Sequence, residues 1–417
     1  MKKIFSPLFI LITVNSIASD WIVKPDSSFK HSIGIVTDYY FASNSITNRF
    51  ALSYYLGEFI DDSKKNSVSK NLSLLNRFGL GLNNEIKYIR HNKTIFNLPN
   101  SFFSISLSNH YHINSSFKKD LFELYFRGNK SYAGKKADLG EFIYNQIVYQ
   151  KLNFIFGHNF NVNENNFGYS AGLSLNKGQK FNKISTSRAS LFTETNGEYL
   201  DLNANLEIHQ SDSLKNKIKD WNGTGCSIDF AFYWKNKKNN ILKVTAANFG
   251  FIKWNNNSAH VFADTSFRFE GIDVSYLFLL TDSVKETVSL DSSLAEPYLS
   301  VREKKNYNTP LPALLSISYL YVLKPQKLNL EFEINYLFFA GYKLRESLAL
   351  TYYINNINRL SLKTSFGGYT GFQTGLSYST QFLKNWVFSI QSDYLTGLIN
   401  PDKGKAQGAF VSLTSYF

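Results

Sequence analysis

The sequence predicts an all-β fold, a single antiparallel transmembrane β-barrel of about 14-16 strands with one or two short helices in inserts. Three observations support this prediction. From residue 29 onward, apolar and polar residues alternate in segments of about ten residues, the length of a membrane-crossing strand. Aromatic residues make up 16% of the 417 residues, but no segment after residue 18 is apolar over the length of a membrane helix. The last ten residues form an alternating strand that ends on Phe417.

The alternation is clearest in residues 372–382, where Phe372, Leu376, Tyr378 and Phe382 share one face. The opposite face carries only Gln, Gly and Ser. A barrel strand needs this pattern, because one of its faces contacts lipid and the other lines the lumen. Strands of a water-soluble sandwich also alternate. The polar second face, combined with a secretion signal and the terminal aromatic residue, favours the barrel.

Counting such segments gives roughly 14 to 18 strands. They lie near residues 30–41, 77–91, 101–114, 142–157, 167–177, 182–195, 198–210, 225–235, 240–253, 259–269, 312–323, 328–340, 346–354, 359–367, 371–382, 386–395 and 408–417. The short polar joins at 324–327 and 355–358 predict tight periplasmic turns.

Two inserts depart from the alternation. Residues 117–125 carry apolar side chains at helical spacing, and residues 273–280 begin with Asp, a favourable first residue for a helix. Each predicted helix either packs on the rim of the barrel or forms part of a plug inside the lumen. The stretch 56–75, rich in Ser, Lys and Asp, predicts an exposed loop. Trp254 ends an apolar strand and predicts a place in an interfacial aromatic girdle.

The N-terminus has the features of a secretory signal peptide. Lys2 and Lys3 precede an apolar run at 7–14, and small residues stand at Ser16 and Ala18. The apolar run is shorter than the ~20 residues that span a bilayer. The sequence therefore predicts a signal peptide over 1-18 and a single barrel domain over 19-417. Because the chain has one cysteine, far from the cleavage site, neither a lipid-anchor cysteine nor an intramolecular disulfide is expected.

The C-terminal strand resembles the closing strand of bacterial outer-membrane β-barrels. Ala409, Val411, Leu413 and Phe417 fall on one face of it. In that resemblance, the terminal Phe417 is read by the barrel-assembly machinery. The resemblance implies a location in the outer membrane of a Gram-negative bacterium, with the lipids and lipopolysaccharide of that membrane as partners.

The formal net charge is +13, with a sequence pI near 9.3. A basic chain can bind nucleic acid. Here, however, the lysines are scattered through turns such as 235–238 and form no basic helix or arm. We therefore predict no nucleic-acid partner, while basic loops facing anionic lipopolysaccharide remain an alternative role for the charge.

Several short sequence motifs occur in a characteristic order along the chain. They lie at residues 119–124, 128–129, 132–135, 138–139, 222–225, 228–233, 247–254, 269–273, 310–312, 392–394, 397 and 401. Together they resemble a family of uncharacterised outer-membrane proteins of Bacteroidota that carries a domain of unknown function. That family belongs with the long-chain fatty-acid transporter-like (FadL-like) barrels. The resemblance covers residues 117–417 and implies a fold and a location, but no catalytic or binding residue.

Four polar side chains share one face of a predicted strand, and they are the strongest candidates for chemistry: Ser106, Ser108, His110 and His112. A Ser–His pair could act as an acyl hydrolase, and two histidines could supply two metal ligands. The His followed by Ser-Asn-Gly of outer-membrane phospholipases is missing, and the sequence shows no third metal ligand. We therefore predict lumen-facing polar residues, with no catalytic residue, no cofactor and no metal.

The sequence favours an outer-membrane barrel that binds or passes a hydrophobic or amphipathic small molecule, and not an enzyme. An alternative is a structural or secretion-linked barrel that docks partner proteins through its loops, as in type IX secretion. A membrane acyl hydrolase is a further alternative. Glu331 and Glu333 point into the predicted lumen, where they either are hydrated polar groups or favour the permeation of cations.

Overall fold

The computed structural model describes residues 29–212, 217–270, 301–383 and 385–417. The predicted signal peptide and the predicted helix at 273–280 lie outside these residues. The first strands are β1 (His31–Ser43), β2 (Leu75–Ile95), β3 (Leu98–Lys118), β4 (Lys135–Asp138), β5 (Phe142–Val162), β6 (Asn165–Thr193), β7 (Leu200–Gln210), β8 (Gly223–Lys235), β9 (Ile241–Trp254) and β10 (Ala259–Phe269). They are followed by β11 (Val301–Lys304), β12 (Asn308–Pro310), β13 (Ala313–Lys324), β14 (Leu328–Phe338), β15 (Lys343–Tyr353), β16 (Asn358–Gly368), β17 (Gln373–Phe382), β18 (Trp386–Ser392) and β19 (Ala406–Tyr416).

Fourteen of these strands close into an antiparallel barrel within the described part of the chain. They are β1, β2, β3, β5, β6, β8, β9 and β13 to β19. Barrel closure pairs Ser32 of β1 with Tyr416 of β19, and the same pairing continues to Ala42 and Ala406. The prediction of an all-β barrel of about 14-16 strands is confirmed, and the C-terminal strand is the closing strand. The segments predicted at 167–177 and 182–195 form one continuous strand, β6.

The two ends of the barrel differ in the length of their connections. One end carries both described termini and the short turns at 96–97, 163–164, 236–240, 325–327 and 354–357. Two of these are the turns predicted from their polar residues. In the turn after β15, the Asn355 side chain accepts hydrogen bonds from the backbone N–H groups of Ile357 and Asn358, at 3.0 and 2.8 Å. Such side-chain bonds are the reason that Asn favours tight turns.

The opposite end carries the long connections and the helices, which are α1 (Asn48–Leu56), α2 (Asp62–Ser69), α3 (Lys119–Arg127), a 3₁₀ turn (Lys130–Tyr132) and α4 (Leu395–Ile399). The predicted helix near 117–125 is confirmed as α3. Phe122 of α3 packs with Phe50 of α1 and Phe117 at the end of β3, which places α3 on the barrel rim. Residues 56–75 are largely exposed, as predicted, but the prediction of a loop is wrong at Asp62–Ser69, where α2 forms and buries Val68 in the same cluster.

A sheet extension continues from the barrel at the end with the long connections. The second half of β6 pairs with β7, β7 with β10, and β10 with the short β11. On the other side of the same half of β6 lies β4. The extension is therefore built on a barrel strand that runs on past its neighbours.

The barrel strands present an apolar outer face and a polar inner face. Leu350, Leu362 and Leu376 lie side by side across β15, β16 and β17 and are 41%, 53% and 40% exposed. The neighbouring residues Ser347 and Ser365 face inward and are buried. The predicted alternation is thus the alternation between the outside and the lumen. No helix in the described ranges is both long enough and apolar enough to cross a membrane.

Candidate functional site in the barrel lumen

The lumen contains a cavity of about 160 Å³ between the strands of the barrel. Apolar atoms form most of its wall and come from side chains such as Ile155, Leu314 and Leu337. Charged and polar side chains reach the same space from β1, β2, β3 and β5. The cavity is therefore an apolar space with polar groups at defined positions, as small-molecule sites commonly are.

A chain of four hydrogen-bonded side chains crosses β1, β2 and β3 at this cavity. Asn83 Nδ2 donates to Asp38 Oδ2 at 2.7 Å, which directs Asn83 Oδ1 toward His110 Nδ1 at 2.8 Å. His110 therefore carries its proton on Nδ1, and Nε2 accepts from Ser108 Oγ at 2.8 Å. Asp38, Ser108 and His110 are all buried. The arrangement holds the serine hydroxyl against a histidine of fixed tautomer.

A buried ion pair lies beside this chain. Lys151 Nζ donates to Asp229 Oδ2 and to Asn248 Oδ1, both at 2.7 Å. Asp229 also accepts from Asn153 Nδ2 at 2.8 Å and from the backbone N–H of Asn248 at 2.7 Å. Asn248 has a φ of 60° and lies beside the register shift between β8 and β9. A β-bulge, the structure that such a shift marks, re-aims the local backbone, and here the N–H of Asn248 points at the carboxylate.

The opposite wall of the lumen has a second charged group. Arg345 Nη2 is 2.7 Å from Asp393 Oδ2, and Lys363 Nζ is 3.4 Å from the same oxygen. Lys363 Nζ also lies 3.5 Å from Glu333 Oε2, while Ser316 Oγ donates to Glu333 Oε1 at 2.9 Å. Glu333 does face the lumen, as the alternation predicts. Because a lysine pairs with it, its charge is compensated within the lumen.

Several polar atoms on the cavity wall are buried without a hydrogen-bond partner in the described part of the chain. They are Asp38 Oδ1, Tyr40 Oη, Glu85 Oε2, His112 Nδ1 and Tyr369 Oη. A buried polar group without a partner costs about 1–3 kcal/mol. Groups left in this way beside a cavity are free to form hydrogen bonds with water or with a small molecule that enters it.

Packed apolar clusters lie on either side of the cavity along the barrel. Toward the short turns, Phe102 packs with Ala231 and Tyr233. Toward the long connections, Trp254 packs with Tyr149 and other side chains and donates from Nε1 to Thr309 Oγ1 at 2.9 Å. The prediction that Trp254 belongs to an interfacial girdle is wrong, because its side chain is fully buried. A strand end looks the same in sequence whether its last side chain turns outward or inward.

Two inward-facing glycines on β2 make room for tyrosine rings at the cavity. A Cβ on Gly81 would collide with the ring of Tyr40, and one on Gly79 with the ring of Tyr369. The positions on the wall that these side chains would fill are thus occupied by two aromatic rings, one from the neighbouring strand β1 and one from the residue that follows β16. The shape of the cavity depends on these close approaches.

The sequence of this protein matches one family model over residues 23–390, that of the Family of unknown function (DUF5723). The chain belongs to this family. The match confirms the membership of a family with a domain of unknown function that the resemblance implied. An origin in Bacteroidota stays a prediction. A search of curated proteins finds no match.

Solved structures with similar form include the TodX deltaS2S3 mutant monoaromatic hydrocarbon channel, at 7% identity and a TM-score of 0.47, covering 94% of this chain and 91% of that one. TodX is the toluene transporter of Pseudomonas putida. A Pseudomonas aeruginosa FadL homologue has 10% identity and a TM-score of 0.42, with 93% and 90% covered. Outer membrane phospholipase A of Escherichia coli has 10% identity and a TM-score of 0.26, with 93% and 97% covered. With TM-scores below 0.5, these similarities decide nothing about the activity of this chain.

The structure brings together some of the predicted candidates and adds others. Ser106, Ser108, His110 and His112 all face the lumen and are buried, as predicted. Ser108 and His110 are hydrogen-bonded to each other, whereas the Nδ1 atom of His112 has no partner among the described residues. Sequence reasoning missed Asn83, which orients His110. It lies 27 positions before His110 on the neighbouring strand, and a single sequence does not reveal the register between strands.

One group of three side chains in the described ranges has ligand atoms spaced closely enough for a metal ion, and it lies on the sheet extension. Glu207, His209 and His260, on β7 and β10 of the extension, offer ligand atoms that all lie within 4.8 Å of one another. Burial lowers the pKa of His209, and the hydrogen bond from His209 holds the pKa of Glu207 below its ordinary value. These three residues do not include the lumen histidines considered from the sequence.

Proposed function

We propose that this protein is an outer-membrane barrel of a Gram-negative bacterium that binds or passes a small amphipathic molecule through its lumen. The observation that carries the proposal is the cavity inside the barrel, with an apolar wall and partnerless polar atoms on one side of it. The location is supported by the outer face of the barrel. A belt of exposed leucine, isoleucine, phenylalanine and tyrosine side chains covers it, and water would not favour such a surface.

The membrane location can be tested by placing a charge at two depths on the outer face. Leu362 lies in the middle of β16, and Leu323 lies next to the turn after β13. Leu362→Arg should lower the free energy of unfolding in lipid vesicles by about 2–4 kcal/mol, whereas Leu323→Arg should cost about 0–1 kcal/mol. Equal effects of the two substitutions would contradict a membrane that surrounds the barrel.

The cavity sets limits on the ligand. Its volume of about 160 Å³ resembles that of a ~150 Å³ apolar cavity that holds one benzene molecule. The partnerless atoms on the wall include two carboxylate oxygens, from Asp38 and Glu85, which can only accept hydrogen bonds while ionised. The fitting molecule therefore has a small apolar body and a head group that donates hydrogen bonds, such as a hydroxyl or an amine.

Mass spectrometry of small molecules that remain with the protein after purification in mild detergent tests this proposal. Ala231, a buried residue of the cavity wall, can be replaced by Phe to fill the space. Ala349→Phe is the matched control, because Ala349 shares the lumen face with its cross-strand neighbour Lys363 but does not line the cavity. A defined amphipathic molecule at near-stoichiometric amount should be present in the wild type and the control, and lost from Ala231→Phe. Finding only detergent and bulk phospholipid in all three would overturn the proposal and favour a barrel that docks partner proteins.

A second candidate function rests on the hydrogen bonds of Ser108. A serine bonded to the Nε2 of a histidine, whose Nδ1 is bonded to an oriented acceptor, has the geometry of an activated nucleophile. Asn83 is that acceptor, and Asp38 fixes the direction of its amide. This observation favours an acyl hydrolase acting on an ester that enters the lumen.

Hydrolysis of short-chain p-nitrophenyl esters distinguishes the two functions. The small-molecule barrel predicts that Ser108→Ala and wild type hydrolyse these esters equally slowly. A hydrolase predicts a loss of at least roughly 10³-fold in Ser108→Ala. Ser106→Ala is the control, since Ser106 is buried on the same face of β3, two residues nearer the short turn.

A further inference from the structure

The extension carries a cluster of side chains that the lumen does not use. His209 on β7 and His260 on β10 are directly opposite each other in the strand pairing. Their rings stack with centroids 4.4 Å apart and planes inclined by 15°. Glu207, two residues before His209 on the same face, places Oε1 2.8 Å from His209 Nε2 and 3.4 Å from His260 Nε2.

One ligand atom of each of these three residues lies within 4.8 Å of the other two. A tetrahedral zinc ion with ligands at about 2.1 Å holds its ligand atoms about 3.4 Å apart. The separations between the Glu207 oxygen and the two histidine nitrogens, 2.8 and 3.4 Å, are close to that spacing. A bound ion would replace the proton that His209 Nε2 shares with Glu207, and the stacked rings would turn about their side-chain torsions to face it. Two imidazoles and one carboxylate form a ligand set that zinc accepts with one coordination position left open.

The surroundings of the cluster contain a second observation that points to a ligand. His260 Nε2, the atom that faces Glu207, is buried and has no hydrogen-bond partner among the described residues. A neutral imidazole nitrogen in that state costs free energy that a bound cation would recover. We infer that Glu207, His209 and His260 form a site for a zinc-class divalent metal ion.

The chemistry of the ligands selects the class of ion. Imidazole nitrogens suit zinc, copper, nickel and iron, whereas calcium and magnesium prefer oxygen ligands only. Strand pairing also places Glu303 of β11 opposite His260, and Lys183 of β6 opposite His209. Glu303 is an exposed carboxylate on the same face and is placed to approach the open coordination position, which otherwise holds water.

A metal at this site would join two strands of the extension and hold them against the barrel. The ring of Tyr307 contacts His209 at 5.1 Å between centroids and also packs with Phe181 and Trp254. Phe181 and Trp254 belong to a buried apolar cluster at the end of the barrel with the long connections. The site therefore lies where the extension meets the barrel, and it is independent of the proposed function of the lumen.

Isothermal titration calorimetry with ZnCl₂ tests the inference on full-length protein purified without a histidine tag and treated with a chelator. The wild type should bind one zinc ion per chain. His260→Asn and Glu207→Gln should each weaken that binding by more than about 100-fold, since loss of even an outer-shell partner costs about 10–100-fold. His31→Asn is the matched control, because His31 lies at the opposite end of the barrel beside Tyr88.

The result that overturns the inference is zinc binding that is absent in the wild type, or that is the same in His260→Asn and in the wild type. Circular dichroism and the mobility of the unheated protein on a gel show whether the variants fold. His260→Asn and Glu207→Gln alter different strands, so a folding defect in one of them leaves the other as an independent test.

Discussion

Replacing Lys151 by Met removes the cation from a buried ion pair in the lumen. The side chains of Lys151 and Asp229 are 4% and 15% exposed, and their charged atoms are 2.7 Å apart. Removing one partner of a buried pair costs about 3–5 kcal/mol, because the other charge is left in a medium that solvates it poorly. We expect Lys151→Met to lower the free energy of unfolding by an amount in this range.

The hydrogen bonds of the two partners decide where in the range each substitution falls. Without Lys151, Asp229 still accepts from Asn153 Nδ2 and from the backbone N–H of Asn248. Without Asp229, Lys151 keeps only its bond to Asn248 Oδ1 among those that the structure describes. Lys151→Met should therefore cost about 3 kcal/mol, and Asp229→Leu should approach about 5 kcal/mol.

Equilibrium unfolding in urea, followed by tryptophan fluorescence in lipid vesicles, measures these free energies. Lys237→Met is the control, since Lys237 pairs with Glu164 at 3.1 Å while both side chains are about 70% exposed. It should change the stability by at most about 1 kcal/mol. The reasoning would be refuted if Lys151→Met cost less than the control, or if it cost more than Asp229→Leu.

Three further predictions concern other parts of the chain. Thr309→Val should lower the free energy of unfolding by about 1–3 kcal/mol, because the buried indole N–H of Trp254 loses its acceptor, and urea unfolding measures this. The hydrogen bond from Lys118 holds the pKa of Asp138 below its usual value. The pair therefore stabilises the fold fully above the pKa of about 3.9 that Asp138 has in the unfolded chain. This stabilisation is lost as the pH falls through the lower pKa that Asp138 has in the folded protein. Proteolysis of the connection after β3 should accordingly become faster below about pH 4 with an acid-active protease. If the assembly machinery reads Phe417, deleting this residue should reduce the amount of folded barrel in the outer membrane of an expressing cell. The difference in gel mobility between unheated and heated samples measures that amount.

The barrel could be predicted from the sequence because its cause is local. Each strand must put lipid-facing residues at every second position, so the pattern of Phe372, Leu376 and Tyr378 is visible without knowing any neighbour. The helix α2 could not be predicted in the same way. Its sequence is polar, and one residue, Val68, anchors it by packing against Phe50 and Phe122 of other segments. Tertiary contacts, not periodicity, decide its conformation.

The contacts within the site depend on register, which the sequence does not contain. His110 and Ser108 are two residues apart, so their shared face could be inferred from the alternation. Lys151 and Asp229 are 78 positions apart and lie on strands separated by β6. Their contact requires the pairing of β5 with β6 and of β6 with β8 to be correct at every step. Asn248 needs, in addition, the register shift between β8 and β9.

The two sides of the lumen differ in how their charges are balanced, and this difference gives the proposed ligand an orientation. On the side of β14 to β18, Glu333 and Asp393 each lie within 4 Å of a lysine or arginine nitrogen. On the side of β1 and β2, Asp38 and Glu85 have no ion-pair partner among the described residues, and each has one buried oxygen without a hydrogen bond. A hydrogen-bond donor gains most where acceptors are unpaired and nearby cations do not compete for them. The head group of a bound molecule should therefore lie against β1 and β2, with its apolar body toward the wall formed by Leu314 of β13.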